Sequence, residues 1–156
     1  LLENLYLKKK NKFNKETDLF LYMASRSENI ELIKENIKKK IVLIDRFVDS
    51  TFAYQHYGQK INLKLINYLN NFVLKKLSIS HTFLLTIDKK NLKKRLNLKN
   101  KNRYDNFDIK FYTNVQNGYI KLFRKNIKKY TLIDSSMPKN INEKIILNKI
   151  TSIVKK

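Results

Sequence analysis

The stretch Ile41-Val-Leu-Ile-Asp-Arg-Phe-Val-Asp-Ser-Thr-Phe-Ala-Tyr-Gln55 runs four apolar residues straight into an acid, a base and a string of small polar side chains. An apolar run without alternation, bounded by polar residues, predicts a strand over 41–45 covered on both faces, as in the parallel sheets of α/β proteins. Asp45 and Arg46 then stand at the carboxyl end of that strand, the edge where open α/β sheets bind ligands. Outward from this stretch the pattern recurs. Thr82-Phe-Leu-Leu-Thr-Ile87 and Tyr130-Thr-Leu-Ile133 predict two further buried strands, each followed by an aspartate, Asp88 and Asp134.

Helical spacing fills the intervals. A helix is expected over 17–38, capped by Thr17, with Leu19, Phe20, Met23, Ile30, Ile33 and Ile37 as its apolar positions. A second covers 61–77, with Leu65, Leu69, Phe72 and Val73. A third, over 108–127, keeps Ile109, Tyr112, Val115, Tyr119 and Leu122 on one face, and a fourth, over 141–154, carries Ile141, Ile145, Ile150 and Val154. Strands alternating with helices at this rhythm imply βαβ units and a parallel sheet with right-handed crossovers.

Composition narrows the classes. At 156 residues and 42% hydrophobic content the chain suits a single domain, 1–156, with a core of its own. It has no Cys, and His56 and His81 are isolated, so neither a disulfide framework nor a thiolate metal site is available. A reducing, cytoplasmic compartment is the expectation. No apolar run is long enough to span a bilayer. Thirty-four Lys and Arg against thirteen Asp and Glu give +21, which attracts polyanions or phosphorylated substrates. The lysines are scattered through every predicted helix among abundant Asn and Ile, as an A+T-rich coding bias produces, so solvated faces are the simpler reading.

Several groupings carry chemistry, each with a plainer alternative. Asp45, Asp88 and Asp134 at three strand ends can orient Mg²⁺ through water, or serve as turn and helix-start residues. Arg46 offers a planar fork matched to a phosphate. Tyr22 and Arg26, four apart, share a helix face and can stack on a base while donating to its carbonyl edge, or be a core ring beside a surface cation. Ser50, Thr51, Tyr54 and Gln55 set two hydroxyls, a phenol and an amide beyond Asp45-Arg46, and a helix there points 51, 54 and 55 together. In the basic stretch 89–103, Arg95, Lys99 and Arg103 fall on one helical face, able to clamp a phosphoryl group or arising by chance in a Lys-rich chain.

Together these residues resemble the thymidylate kinase family. Its D-R-[YFH]-x-x-S-[TN]-x-A-Y-Q motif is matched by Asp45, Arg46, Phe47, Ser50, Thr51, Ala53, Tyr54 and Gln55. The preceding A-x-R helix is matched by Leu21-Tyr-Met-Ala-Ser-Arg26, and the lid, about 89–107, by Arg95 through Arg103-Tyr-Asp105. Phe111, Val115 and Tyr119 follow the family's next helix, and Leu132-Ile-Asp-Ser-Ser-Met-Pro138 its closing I-D-A-x-x-P stretch. The resemblance implies a P-loop NTPase-like three-layer α/β/α kinase fold around a five-stranded parallel sheet. It implies transfer of the γ-phosphoryl of MgATP to dTMP, giving dTDP on the way to dTTP. On that footing ATP and Mg²⁺ are the cofactors and Asp45, Arg46, Arg95 and Lys99 the catalytic residues. Arg46 would hold the acceptor phosphate, Asp45 would organise the Mg²⁺ and phosphate region without a direct metal bond, and Tyr22 would stack on thymine. Arg26 would meet the base carbonyl edge, Ser50 would line the dTMP pocket, and Thr51 and Gln55 would contact the base. Tyr54 would crowd the place of a ribose 2′-hydroxyl, and Arg95, Lys99 and Arg103 would close over ATP. The partners implied are dTMP and ATP, with no nucleic acid and no membrane, and a homodimer packed through helices is common in the family.

The chain departs from the family at its phosphate loop, G-x-x-x-x-G-K-[ST], and at the R-E-P-G-G turn. Its only glycines are Gly58 and Gly118, neither followed by Lys-Ser or Lys-Thr. Lys94, and Asn102 in place of an acid, also depart from the lid pattern. The expectation is that Leu1 lies inside the family sequence and that the phosphate loop precedes it. Two rivals stand beside this reading. One is another deoxynucleotide or deoxynucleoside kinase of the same fold. The other is a non-catalytic basic protein, for which tight, salt-dependent nucleic-acid binding without turnover is expected. In the family the first strand lies between those ending in Asp45 and Asp88, so residues 1–156 alone should fold poorly and be inactive. A cooperative unfolding transition together with ATP-dependent conversion of dTMP by this chain would contradict that expectation.

Overall fold

The computed structural model describes residues 13–98 and 108–155, with the backbone alone at 96–98. The chain divides into two compact units, Leu1–Ile79 with Asn100–Leu122, and Ser80–Lys99 with Phe123–Lys156.

In the first unit, helix α1 (Lys15–Asn36) begins where the Asn14 side chain accepts a hydrogen bond from the Thr17 amide at 2.7 Å. Asn14 is therefore the cap in place of Thr17, which stands in the first turn as the donor. Glu16 and Asp18 in that turn suit the positive end of the helix dipole. Leu19, Met23 and Ile30 are buried, whereas the expected apolar positions Phe20 and Ile37 face solvent.

Short helix α2 (Val48–Thr51) runs without a break into a π-helical segment, Phe52–Gly58. Helix α3 (Leu63–Leu74) starts at Asn62, whose side chain accepts from the Lys64 amide at 2.8 Å, and stops at Lys75, whose φ of 46° lies in the left-handed region. Its buried face is Ile66, Asn70 and Val73. Leu65 and Phe72, expected inside, are exposed, Phe72 by 71%. Val73 is buried and Leu69 packs against the core as the spacing implies, and the inward face also takes in Ile66 and Asn70. Leu19, Met23, Ile30, Ile61, Ile66 and Val73 form one core, with Phe47, Leu69 and Leu77 packed against it.

A second cluster joins Ala53 to Phe111 and Val115 of helix α5 (Ile109–Lys125), flanked by Tyr54, Tyr112 and Tyr119. Both glycines serve this contact. A Cβ on Gly118 would lie 2.5 to 2.9 Å from three atoms of Tyr57, and one on Gly58 would lie 2.6 Å from the Phe111 ring. Residues 41–44 correct the expectation of a strand. They form no β-ladder, and Ile41, Leu43 and Ile44 are exposed. A strand is held by a neighbour's amides and carbonyls, and no described residue pairs with this run.

In the second unit β1 (Thr82–Thr86) pairs in parallel with β2 (Tyr130–Asp134), from Thr82 opposite Tyr130 to Thr86 opposite Asp134. The Ser135 amide continues the pairing with a bond to the Thr86 carbonyl at 2.8 Å. Leu84 and Ile133 are buried and Leu85 and Leu132 exposed; since Leu84 stands opposite Leu132 and Leu85 opposite Ile133, each face of the described pair has one buried and one exposed residue, in place of the full cover expected. Helices α4 (Lys89–Leu98) and α6 (Lys139–Val154) complete the unit, and α6 buries no residue fully. None of the described helices is long and apolar enough to cross a membrane.

Replacing Gly118 with alanine ordinarily favours a helix by about 1 kcal/mol. Here overpacking against Tyr57 should reverse the sign, and Gly118→Ala is expected to destabilise the protein by about 1–3 kcal/mol in denaturant unfolding.

Candidate functional site

The Asp45-Arg46 pair sits where the backbone is strained. Arg46 has φ of 58°, the left-handed region, which costs a non-glycine residue on the order of 1 kcal/mol or more and clusters at functional sites. Its guanidinium lies 5.2 Å from the centroid of the Tyr54 ring, a cation–π contact. Desolvation by neighbouring atoms works against the Arg46 charge, but the phenols of Tyr54 and Tyr119 and the Asp45 carboxylate outweigh it and raise the pKa above the usual arginine value. The residue keeps solvent access, so a cation stands ready at the surface in a fixed orientation.

Beyond it, Ser50 and Tyr119 share a hydrogen bond of 2.7 Å between their hydroxyls. Burial pushes the Tyr119 phenol up to about 12, so it stays neutral at physiological pH. Tyr54 is held edge-on by Phe111 at 6.0 Å and Tyr119 at 6.5 Å between ring centroids. Thr51 and Gln55 are each 2% exposed. The π-helical turn replaces the ordinary helix assumed from the sequence, and its wider turn is seen in the Gln59 amide bonding to the Tyr54 carbonyl at 2.8 Å, five residues back. Gln55 Nε2 is buried with no hydrogen-bond partner. A buried donor left without an acceptor costs about 1–3 kcal/mol, a cost that a carbonyl-bearing ligand would remove.

Arg26, four residues after Tyr22 on α1, is buried and heavily held. Nη1 donates to Asn70 Oδ1 at 2.9 Å and touches Met23 Sδ at 3.9 Å. Nη2 donates to the Phe47 carbonyl at 3.1 Å, and the guanidinium lies 5.3 Å from the Phe47 ring centroid. Tyr22 is half-buried. Sequence reading missed Asn70, and also Asp18, 1% exposed, whose Oδ2 accepts from Gln59 Nε2 at 3.4 Å. The signal for Asn70 was available, since a polar residue breaks the 66–70–73 face of α3.

Of the remaining expected site residues, Asp88, Arg95 and Asp134 belong to the second unit. Arg95, in the second unit, is exposed and donates to the Ser135 carbonyl at 2.7 Å. Lys99 and Arg103 lie outside the described residues, as does the lid segment 99–107. Asp88 accepts from the Asn91 amide and side chain, and Asp134 from the hydroxyl and amide of Ser136. Those bonds hold both carboxyls below the usual carboxylate range. Both aspartates are thus turn and helix-start residues. Among the described residues no group of three carboxylate, histidine or cysteine side chains could hold a metal ion.

Comparison with known proteins fits this arrangement. The family model described as thymidylate kinase matches residues 2–146. The thymidylate kinase of Kosmotoga olearia is 31% identical over 150 residues, covering 94% of this chain and 70% of that protein. That of Nostoc punctiforme is 35% identical over 134 residues, 83% of this chain and 64% of that protein, and that of Ehrlichia ruminantium strain Gardel 36% over 145, 91% and 69%. The chain thus spans roughly two thirds of the length of these relatives. The crystal structure of thymidylate kinase from Ehrlichia chaffeensis matches with a TM-score of 0.75 at 28% identity, covering 96% of this chain and 71% of that one.

Tyr119→Phe removes the bond to Ser50 while keeping the ring. A loss of about 0.5–1.5 kcal/mol in unfolding free energy is expected. Ser50→Ala in the same background should add little further, because both changes delete one interaction.

Proposed function

The chain belongs to the thymidylate kinase family of nucleoside monophosphate kinases, with its P-loop kinase α/β fold, and from that premise we propose that the full-length protein transfers the γ-phosphoryl of ATP to dTMP. The observation that carries the reading is the pairing, within one motif, of a strained and ring-stacked Arg46 with a buried Gln55 amide that lacks an acceptor. A cation fixed at the surface suits the 5′-phosphate of a nucleotide, and an unpartnered N–H suits a base carbonyl. Thr51, buried beside Gln55, would join it at the base. Ser50, locked to Tyr119, would hold the pocket wall, and Tyr54, wedged between Phe111 and Tyr119, has the rigidity needed to exclude a 2′-hydroxyl. Tyr22 and Arg26 would meet the base from α1.

Phosphoryl transfer demands mainly positioning and stabilisation of charge, with little covalent chemistry from side chains. Arg46 would hold the acceptor phosphate so that its oxygen meets the γ-phosphorus in line. Arg95, Lys99 and Arg103 would neutralise the charge that spreads over the transferring group. Magnesium typically keeps several waters and binds through substrate phosphates, so the ion would arrive with ATP and lie near Asp45 without a direct bond to it. Residues 1–156 would belong to one catalytic domain of a cytoplasmic homodimer. A sedimentation measurement showing only monomer would remove the dimer.

Assayed with ATP, the full-length protein should convert dTMP to dTDP and leave thymidine unphosphorylated. Arg46→Ala should lower kcat/KM for dTMP by about a hundredfold or more. Strict preference for unphosphorylated thymidine would reject the assignment in favour of a nucleoside kinase.

A further inference from the structure

We infer that Asn70 is a positioning residue that sets which pyrimidine Arg26 accepts, an inference that rests on the functional reading above. Asn70 lies on the inward face of α3 between Ile66 and Val73, at 2% exposure, in a place an aliphatic side chain would fill. Its Oδ1 takes the bond from Arg26 Nη1 at 2.9 Å, while its own Nδ2 is buried without a partner. An asparagine there lowers stability through that stranded donor, so what it supplies is the acceptor for Arg26.

The effect reaches the motif through geometry. A guanidinium is a rigid planar fork, and two bonds on separate nitrogens define its plane. For Arg26 those are the bonds to Asn70 Oδ1 and to the Phe47 carbonyl, and Phe47 directly follows Arg46. Removing the Asn70 oxygen takes away the hold of α3 on Nη1, and the fork gains freedom to turn about its Phe47 bond. A donor fork in a fixed plane favours the O4 carbonyl of thymine and opposes the N4 amine of cytosine. A fork free to turn loses that distinction before it loses the ability to bind.

The test uses the full-length protein with dTMP and dCMP as acceptors and ATP as donor. Asn70→Leu fills the same volume and removes the stranded donor. It is expected to fold, to raise KM for dTMP with kcat nearly retained, and to lower the dTMP to dCMP ratio of kcat/KM by roughly tenfold or more. Asn70→Asp, which restores an acceptor for Arg26, should recover the ratio. A merely structural role would depress both substrates together and leave the ratio in place. If the leucine variant fails to fold, Asn70→Ala carries the same comparison. A folded variant with an unchanged ratio overturns the inference while the kinase reading stands. No dTMP turnover by the unsubstituted protein overturns the kinase reading, and this inference with it.

Discussion

The buried guanidinium of Arg26 is the contact on which the first unit depends. A charge taken out of water is costly unless its donors are satisfied, and removing one partner of such a group is far more damaging than never having built it. Arg26 meets this constraint with atoms from three pieces of chain: Met23 on its own helix, Asn70 on α3 and the Phe47 carbonyl at the start of α2. Those bonds tie α1 and α3 to the Asp45-Arg46 turn. The hydrophobic core of Leu19, Met23, Ile30, Ile66 and Val73 supplies most of the driving force, but it is directionless. The hydrogen bonds fix the register in which that core closes.

From Phe47 the constraint passes along the motif. The left-handed Arg46 turns the chain into α2, and the π-helical segment that follows presents Ala53 and Gly58 to α5. Glycine at 58 and at 118 lets the two helices approach closely enough for Tyr119 to reach Ser50. The ring set Tyr54, Phe111 and Tyr119 then holds the Arg46 cation from its other side. Two parts of one motif are thereby braced by different elements, Phe47 through α1 and α3, and Arg46, by way of Tyr54, through α5.

Much of this was legible in the sequence. Helices α1, α3, α5 and α6 were placed within a few residues, because their apolar residues recur at helical spacing, and β1 and β2 were found from short apolar runs ending in Asp88 and Asp134. What escaped was set by relations that no local pattern contains. Residues 41–44 have the composition of a strand, but a strand exists only with a neighbour to bond. Asn14 displaced Thr17 as a cap because either residue type can serve, and the choice depends on which one the helix turn reaches. Leu65 and Phe72 were mistaken for core because polar Asn70 interrupts the real inward face. The motif residues Arg46, Ser50, Thr51, Tyr54 and Gln55 stand out in the sequence, whereas the bonds between Ser50 and Tyr119 and from Arg26 to Asn70 appear only once chain segments distant in sequence are packed together.

The π-helical run Phe52–Gly58 also makes the motif sensitive to counting. In an ordinary helix each residue advances the chain by about 100° around the axis, so loss or gain of one residue swings everything beyond it to another face. A wide turn embedded in a helix behaves as if a residue had been inserted there. Its length therefore acts as a phase, aligning Gly58 with Phe111 and Val115 on α5 while Asp45 and Arg46 stay where they are. Side chains within the run can be exchanged one for another with the phase intact, but a single deletion would turn Gly58 away from the Phe111 ring.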